Sequence, residues 1–185
     1  MLGEMRGRVI AGTAVLASLA AACELLPLDL PFPLFPKLTL DPTGIPLVLA
    51  LLLYGPESGF TATIIASATI ALPRLGKPPN PYGAVFKGLA ELATLLGAYL
   101  SLNLKWRGEL ALMLLLASLS RIAVMSAANL LLLPLFYGLD PAVVVKLLPV
   151  IAVFNLTQAL VNVLVAYRVF RAVASRLSIE AYRGG

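Results

Sequence analysis

Residues 110–134, LALMLLLASLSRIAVMSAANLLLLP, decide how this chain folds. A helix of about 20 apolar residues crosses a bilayer, and this run is long enough to do so. Arg121 nevertheless stands near its centre. A guanidinium placed in hydrocarbon costs about 3 kcal/mol on insertion scales, so it requires a partner or a pocket. Met125 and Asn129 follow at helical spacing, which puts Arg121, Met125 and Asn129 on one face. The other faces carry Leu, Ala and Val and suit lipid or neighbouring helices.

The rest of the composition agrees with a membrane setting. Of 185 residues, 60% are hydrophobic and 12% charged, with mean hydropathy +0.95. A soluble domain carries about 25% charged residues. The expected fold class is an all-α integral membrane protein, with residues 1–185 forming one transmembrane domain. The net charge of +5 resides in basic residues flanking apolar runs, which encodes topology and leaves no track for nucleic acid. The chain has no His and a single Cys, Cys23. Histidine-based catalysis, His metal sites and internal disulfides are excluded together, and neither a metal nor a cofactor is expected. Cys23 lies in a run of Ala and reads as a small core residue.

Six apolar segments are legible, at about 8–26, 43–55, 57–73, 82–104, 110–134 and 142–170. The first resembles a signal peptide, but Glu24 and Pro27 end it like a helix and more segments follow, so it is expected to be retained. Within it, Ala14, Ser18 and Ala22 recur at spacing four, as do Ala17 and Ala21. Small residues at that spacing let a second helix approach closely, either inside the bundle or on a partner subunit. Residues 27–43, PLDLPFPLFPKLTLDPT, contain too many prolines for a regular helix. Phe32 and Phe35 make this loop too apolar for a plain linker, so it reads as a lid or an interfacial segment. Segments two and three are short, about 20 Å each, and fit either short spans beside a cavity or a re-entrant hairpin.

Six crossings put both termini on one side. Arg6, Arg8, Lys105, Arg107, Arg168, Arg171, Arg176 and Arg183 fall on that side, against Lys37, Arg74, Lys77 and Lys146 on the other, eight to four. The positive-inside rule makes the termini cytoplasmic. Asp41-Pro42, Asn80-Pro81 and Asp140-Pro141 each precede an apolar segment on the outer side, a helix-start signal of N-cap followed by Pro at the first helical position. Residues 134–141, PLFYGLDP, read as the third outer loop.

Depth arithmetic brings the intramembrane charges together. Glu91 lies nine residues into segment four, about 14 Å from its outer end. Arg121 lies twelve residues into the antiparallel segment five, about 18 Å from the inner end. Across a core about 30 Å thick the two meet at similar depth and can pair. Lys87, one turn above Glu91, either snorkels outward or joins them. Segment six adds Asn155, Gln158 and Asn162 as an amide stripe. Such a stripe serves as glue between helices, or lines a hydrogen-bonding pocket for a flat polar ring.

In this order, the motifs resemble those of the substrate-binding S components of energy-coupling factor (ECF) vitamin transporters, in particular the riboflavin-type branch. The resemblance is carried by Asp41 to Pro46, Gly55-Pro56-Glu57-Ser58-Gly59, Asn129 to Pro134 and Phe154-Asn155-Leu156, and it covers about residues 8–170. One departure is Gln158, where many relatives carry a basic residue. The resemblance implies six helices in a lipid bilayer and a vitamin captured from outside. It also implies a membrane coupling protein and two cytoplasmic ATPase subunits as partners. No phosphate-binding Gly-x-x-x-x-Gly-Lys loop is present, so ATP hydrolysis would come from those subunits.

The expected substrate-binding residues are Lys87, Glu91, Arg121, Met125, Asn129, Asn155 and Gln158, under a lid carrying Phe32 and Phe35. Ala14, Ala17, Ser18, Ala21 and Ala22 are the expected docking face. Riboflavin is the expected ligand, with pantothenate, folate, thiamin or biotin as alternatives. A membrane enzyme is disfavoured by the lack of His and of paired acids, and a purely structural membrane subunit is the remaining rival.

Overall fold

The computed structural model describes residues 2–26, 28–76, 78–104 and 108–177. Lys77, the basic turn at 105–107 and Arg183, all used in the topology argument, lie outside the described residues. The described chain runs α1 (Leu2–Leu25), β1 (Leu30–Phe32), β2 (Phe35–Leu40), α2 (Gly44–Tyr54), α3 (Pro56–Ile70), α4 (Pro81–Asn103), α5 (Glu109–Tyr137) and α6 (Pro141–Leu177). Four helical stretches are long and apolar enough to cross a membrane: Arg6–Leu25, Pro81–Asn103, Glu109–Tyr137 and Pro141–Arg176.

The described chain is mostly helical, and the first loop holds its two short strands. Its prolines do exclude helix, but residues 30–40 pair as an antiparallel hairpin, with Leu30 opposite Leu40 and Phe32 opposite Phe35. A two-stranded ribbon has two open edges, so Pro31 and Pro36 can lack an N–H without breaking the ladder.

The helix starts follow the sequence at two of three places. Asn80 accepts from Gly83 N at 2.8 Å, and Asp140 accepts from Ala142 N at 2.7 Å, with Pro81 and Pro141 as first helical residues. At the third, Asp41 instead accepts from Thr43 N at 3.0 Å, and α2 begins only at Gly44. The expected loop at 134–141 is also shorter, because α5 continues through Pro134 to Tyr137. Pro134 stands one turn before the helix end, and its fixed φ is helical. The helix ends at Gly138, which takes a left-handed φ of 63° and donates its N–H to Pro134 O at 3.0 Å.

α2 occupies the middle. Pro46 through Leu53 are all buried, which for a helix means apolar neighbours on every side. It packs on α1, α3, α4 and α6, so its 11 residues need not match the bilayer thickness. Around it, small residues allow close approach: Ala17 and Ala20 on α1, Ala62 and Ala66 on α3, Ala98 on α4, Ala117 on α5 and Ala166 on α6. Gly97 lies directly against the α5 backbone at Leu116 and Ala117, and a Cβ there would strike it. Outward, α5 presents Leu115, Leu119, Leu131 and Leu135, all exposed. Such a row suits lipid contact better than water.

Candidate functional site

A cavity of about 800 Å³ opens between α4, α5 and α6 beneath the hairpin. Its deep wall is built by Arg121. The guanidinium Nη1 donates to Glu91 Oε1 at 3.0 Å and to Thr94 Oγ1 at 2.9 Å, and Nε donates to Asn155 Oδ1 at 3.1 Å. Glu91 Oε2 in turn lies 3.5 Å from Asn162 Nδ2. Arg121 and Glu91 are 2% and 1% exposed, so this is a buried ion pair supported by further hydrogen bonds to Thr94, Asn155 and Asn162. Gly44 is required here, since a Cβ at that position would collide with Asn162 Nδ2.

Toward the hairpin a second set of charges forms a rim. Lys87 pairs with Asp41, lies 3.3 Å from Glu24 Oε1 and 3.6 Å from Glu91 Oε1. Arg74 Nη1 lies 3.5 Å from Glu24 Oε2. Asp41 sits outside the helices. Burial raises its carboxyl pKa, but the Lys87 ammonium beside it outweighs burial and holds it below the usual carboxylate range.

The expected ligand residues divide into two groups. Lys87, Arg121, Met125, Asn129, Asn155 and Phe35 line the cavity. Glu91, Gln158 and Phe32 stand behind it. Gln158 holds the loop: its Oε1 accepts from Asp41 N at 3.3 Å, and its Nε2 donates to Asp41 O at 2.6 Å and to Asn162 Oδ1 at 3.0 Å. A side-chain amide can engage both the N–H and the C=O of one residue, and here it fastens the base of the hairpin to α6. Phe32 is buried edge-on against Phe154 with ring centroids 5.4 Å apart, one helical turn before Gln158. Sequence reading missed Glu24, Arg74, Asn80 and Phe154 as cavity residues. Glu24 carried a usable signal, an acid closing an otherwise apolar helix, but was read only as a terminator.

On α1 the expected docking set also divides. Ala14 and Ser18 are exposed, Ala21 and Ala22 half-buried, and Ala17 is in the core. Of the two readings of the small-residue stripe, Ala17 fits packing inside the bundle, since it lies with Leu16 on the inward face. Cys23 is half-buried rather than core. No group of His, Cys, Asp and Glu suited to a metal ion occurs among the described residues.

A search of solved structures finds a chain described as the S component of a bacterial ECF transporter, with a TM-score of 0.76 and 27% identity. That match covers 93% of this chain and 98% of the other. The fold is that of an ECF S component. A second match, the S component for biotin from an ECF-type ABC transporter, has a TM-score of 0.61 and 14% identity over 92% of this chain and 95% of that one, a likeness of fold alone. No protein-family model matches the chain, and no curated protein matches it by sequence. In this S-component fold, the hairpin between α1 and α2 roofs the cavity, and α4, α5 and α6 wall it.

Proposed function

We propose that this protein is the substrate-binding subunit of an ECF-type importer in the cell membrane, and that its ligand is riboflavin. In this reading the chain is one membrane domain with six helical crossings and both termini cytoplasmic. The cavity faces outward, and Ala14 and Ser18 belong to the face that meets the coupling subunit, with the ATPase subunits beyond it. It is not an enzyme.

The observation that carries the ligand choice is the state of the buried cations. Arg121 is paired with Glu91, Lys87 with Asp41, and Arg74 with Glu24. A carboxylate ligand such as biotin or pantothenate that draws one of these cations to itself leaves that cation's acid uncompensated in a buried site. A neutral ligand does not. The cavity also offers matched hydrogen-bonding groups: Arg121 Nη2, a donor, and Asn129 Oδ1, an acceptor, have no hydrogen-bond partner among the described residues. The carbonyl and imide groups of the isoalloxazine ring complement such a pair, while Met125, Phe86, Ile151 and Phe154 supply apolar contact for its dimethylbenzene edge. A volume of about 800 Å³ accommodates a ligand of that size. A purely structural subunit has no need of such a cavity.

The test is spectroscopic. Protein purified from riboflavin-replete cells is expected to carry visible flavin absorption and, once stripped, to quench added riboflavin fluorescence. A colourless protein that leaves riboflavin fluorescence unquenched removes this ligand. Topology is tested separately in a Cys23→Ser background. Leu34→Cys is expected to react with an impermeant thiol reagent from outside and Leu104→Cys only from inside. The reverse pattern overturns the orientation.

A further inference from the structure

α6 is the longest of the described helices, and its charges stand only near its ends. From Leu147 to Tyr167 no residue is charged, whereas Lys146 precedes that run and Arg168, Arg171 and Arg176 follow it. Lys146 and Arg168 are 22 residues apart, a rise of about 33 Å, which matches the roughly 30 Å of bilayer hydrocarbon. At about 100° per residue, the two also fall within about 40° of each other around the helix axis. The face between them is apolar and turned outward: Val153, Val161, Leu164 and Val165 are all exposed. The opposite face, with Asn155, Ala159, Asn162, Val163 and Ala166, is buried.

The outward face continues past the apolar run. Arg168, Arg171 and Ala172 are exposed, while Phe170 is buried and Val173 and Ala174 pack against the core. The helix is therefore held to the bundle here and turns its arginines sideways, toward whatever touches the valines and leucines before them. Arg74, Lys87 and Arg121, inside the bundle, are each paired with an acid. Arg168 and Arg171 have no carboxylate within ion-pair distance among the described residues. The neighbour of Arg171 is Tyr167, whose hydroxyl donates to Glu109 Oε2 at 3.4 Å. Arg176 lies in the last turn, where the helix dipole alone favours a cation. That field fades within one turn, so it does not account for Arg168 or Arg171.

We propose that Arg168 and Arg171 bind the phosphate of an anionic phospholipid whose acyl chains lie along Val161, Leu164 and Val165. Arg171 stands about 4.5 Å beyond Arg168 along the axis, inside a headgroup layer about 5–8 Å deep. Residues three apart are neighbours on a helix surface, so both guanidinium groups reach one headgroup. Each grips a phosphate through parallel N–H donors, and a headgroup of net negative charge complements two cations that no acid neutralises. A zwitterionic headgroup brings its own cation and gains less. A free phosphate leaves the apolar stripe unused. The coupling face proposed above lies on α1, whereas α6 packs mainly on α5 and α2, which leaves this face to lipid. The inference rests on the membrane setting and is independent of the ligand in the cavity.

The experiment is native mass spectrometry of the purified full-length protein in detergent, titrated with phosphatidylglycerol, with phosphatidylcholine of the same acyl chains, and with glycerol phosphate. The wild-type protein is expected to bind phosphatidylglycerol at least fivefold more tightly than phosphatidylcholine, and glycerol phosphate not at all. Arg168→Gln and Arg171→Gln are each expected to weaken phosphatidylglycerol binding about fivefold and to leave phosphatidylcholine binding unchanged. Both positions are exposed, so an unchanged melting temperature in lipid-free detergent reports that each variant is folded. In nanodiscs, phosphatidylglycerol is expected to raise the melting temperature of the wild type above its value in phosphatidylcholine, and the double variant is expected to lose that rise. Equal binding of the two lipids overturns the site. So does a preference that persists in the double variant, or binding of glycerol phosphate as tight as that of the whole lipid. A defect of the variants confined to co-purification with the coupling subunit, with lipid binding intact, assigns the face to that subunit instead.

Discussion

The deep wall of the cavity and its rim are made from the same chemistry and finished differently. At the deep wall, Arg121 and Glu91 meet at 3.0 Å, and Thr94, Asn155 and Asn162 add further hydrogen bonds. At the rim, Glu24 and Arg74 meet at 3.5 Å, Arg74 Nε has no hydrogen-bond acceptor, and Glu24 Oε1 has only the Lys87 ammonium at 3.3 Å. Depth explains the difference. An uncompensated charge far from water carries its full desolvation cost, so the deep pair is held close and supported by neighbouring polar groups. Groups nearer the cavity mouth can be held more loosely.

The largest expected effect comes from breaking the deep pair. Glu91→Leu strands a buried guanidinium and is expected to destabilise the protein by about 3–5 kcal/mol, read as a large drop in melting temperature in detergent. Adding Arg121→Met to it is expected to recover at least half of the loss, because two apolar residues replace two charges. A single variant that melts like the wild type would show that the deep wall is no more committed than the rim. Gly44→Ala attacks the same wall sterically. Its Cβ meets Asn162 and Glu91, and a cost of about 2–3 kcal/mol is expected, with the same melting assay as readout.

Smaller effects belong to the hairpin that joins the two regions. Gln158→Leu removes both bonds to the Asp41 backbone and is expected to cost about 1 kcal/mol. Its signature is kinetic: faster ligand release and faster thiol labelling at Leu34→Cys. Unchanged rates would place the hairpin's anchorage elsewhere, in Phe32 on Phe154 or in Lys87 on Asp41. The smallest effect is that of pH. The Asp41 carboxyl is held below its unfolded pKa by Lys87, so its contribution is fully present above the ordinary carboxylate range and is lost as pH falls through its lowered folded value. Labelling at Leu34→Cys, followed with a pH-independent reagent, is expected to accelerate as pH falls below about 4. Asp41→Asn should abolish that acceleration.

How much of this was legible in the sequence depended on whether the pattern was local. The helices were, because each apolar run is long enough to declare itself and Asn80-Pro81 and Asp140-Pro141 mark two starts by side-chain chemistry within three residues. The Arg121–Glu91 pair was legible as well. Two consecutive antiparallel helices of known rise fix the depth of every residue, and a charge at that depth has to find its opposite. The shared face of Arg121, Met125 and Asn129 followed from helical spacing alone, and all three residues line the cavity.

What only the tertiary structure decided was who stands in front and who behind. Gln158 and Asn155 lie on one stripe of α6, yet Asn155 lines the cavity while Gln158 turns to the Asp41 backbone, because the hairpin lies across that face. Ala17 and Ala14 share the same small-residue composition, yet one is core and the other exposed, because α3 and α2 cover only one side of α1. Glu24 and Arg74, 50 positions apart by their residue numbers, meet only through the packing of α1 against α3. The apolar pattern sets each helix's length and depth, since those depend on the chain's own periodicity and on the bilayer. Rotation about each helix axis depends on neighbours distant in sequence, and that rotation determines which polar groups reach the cavity.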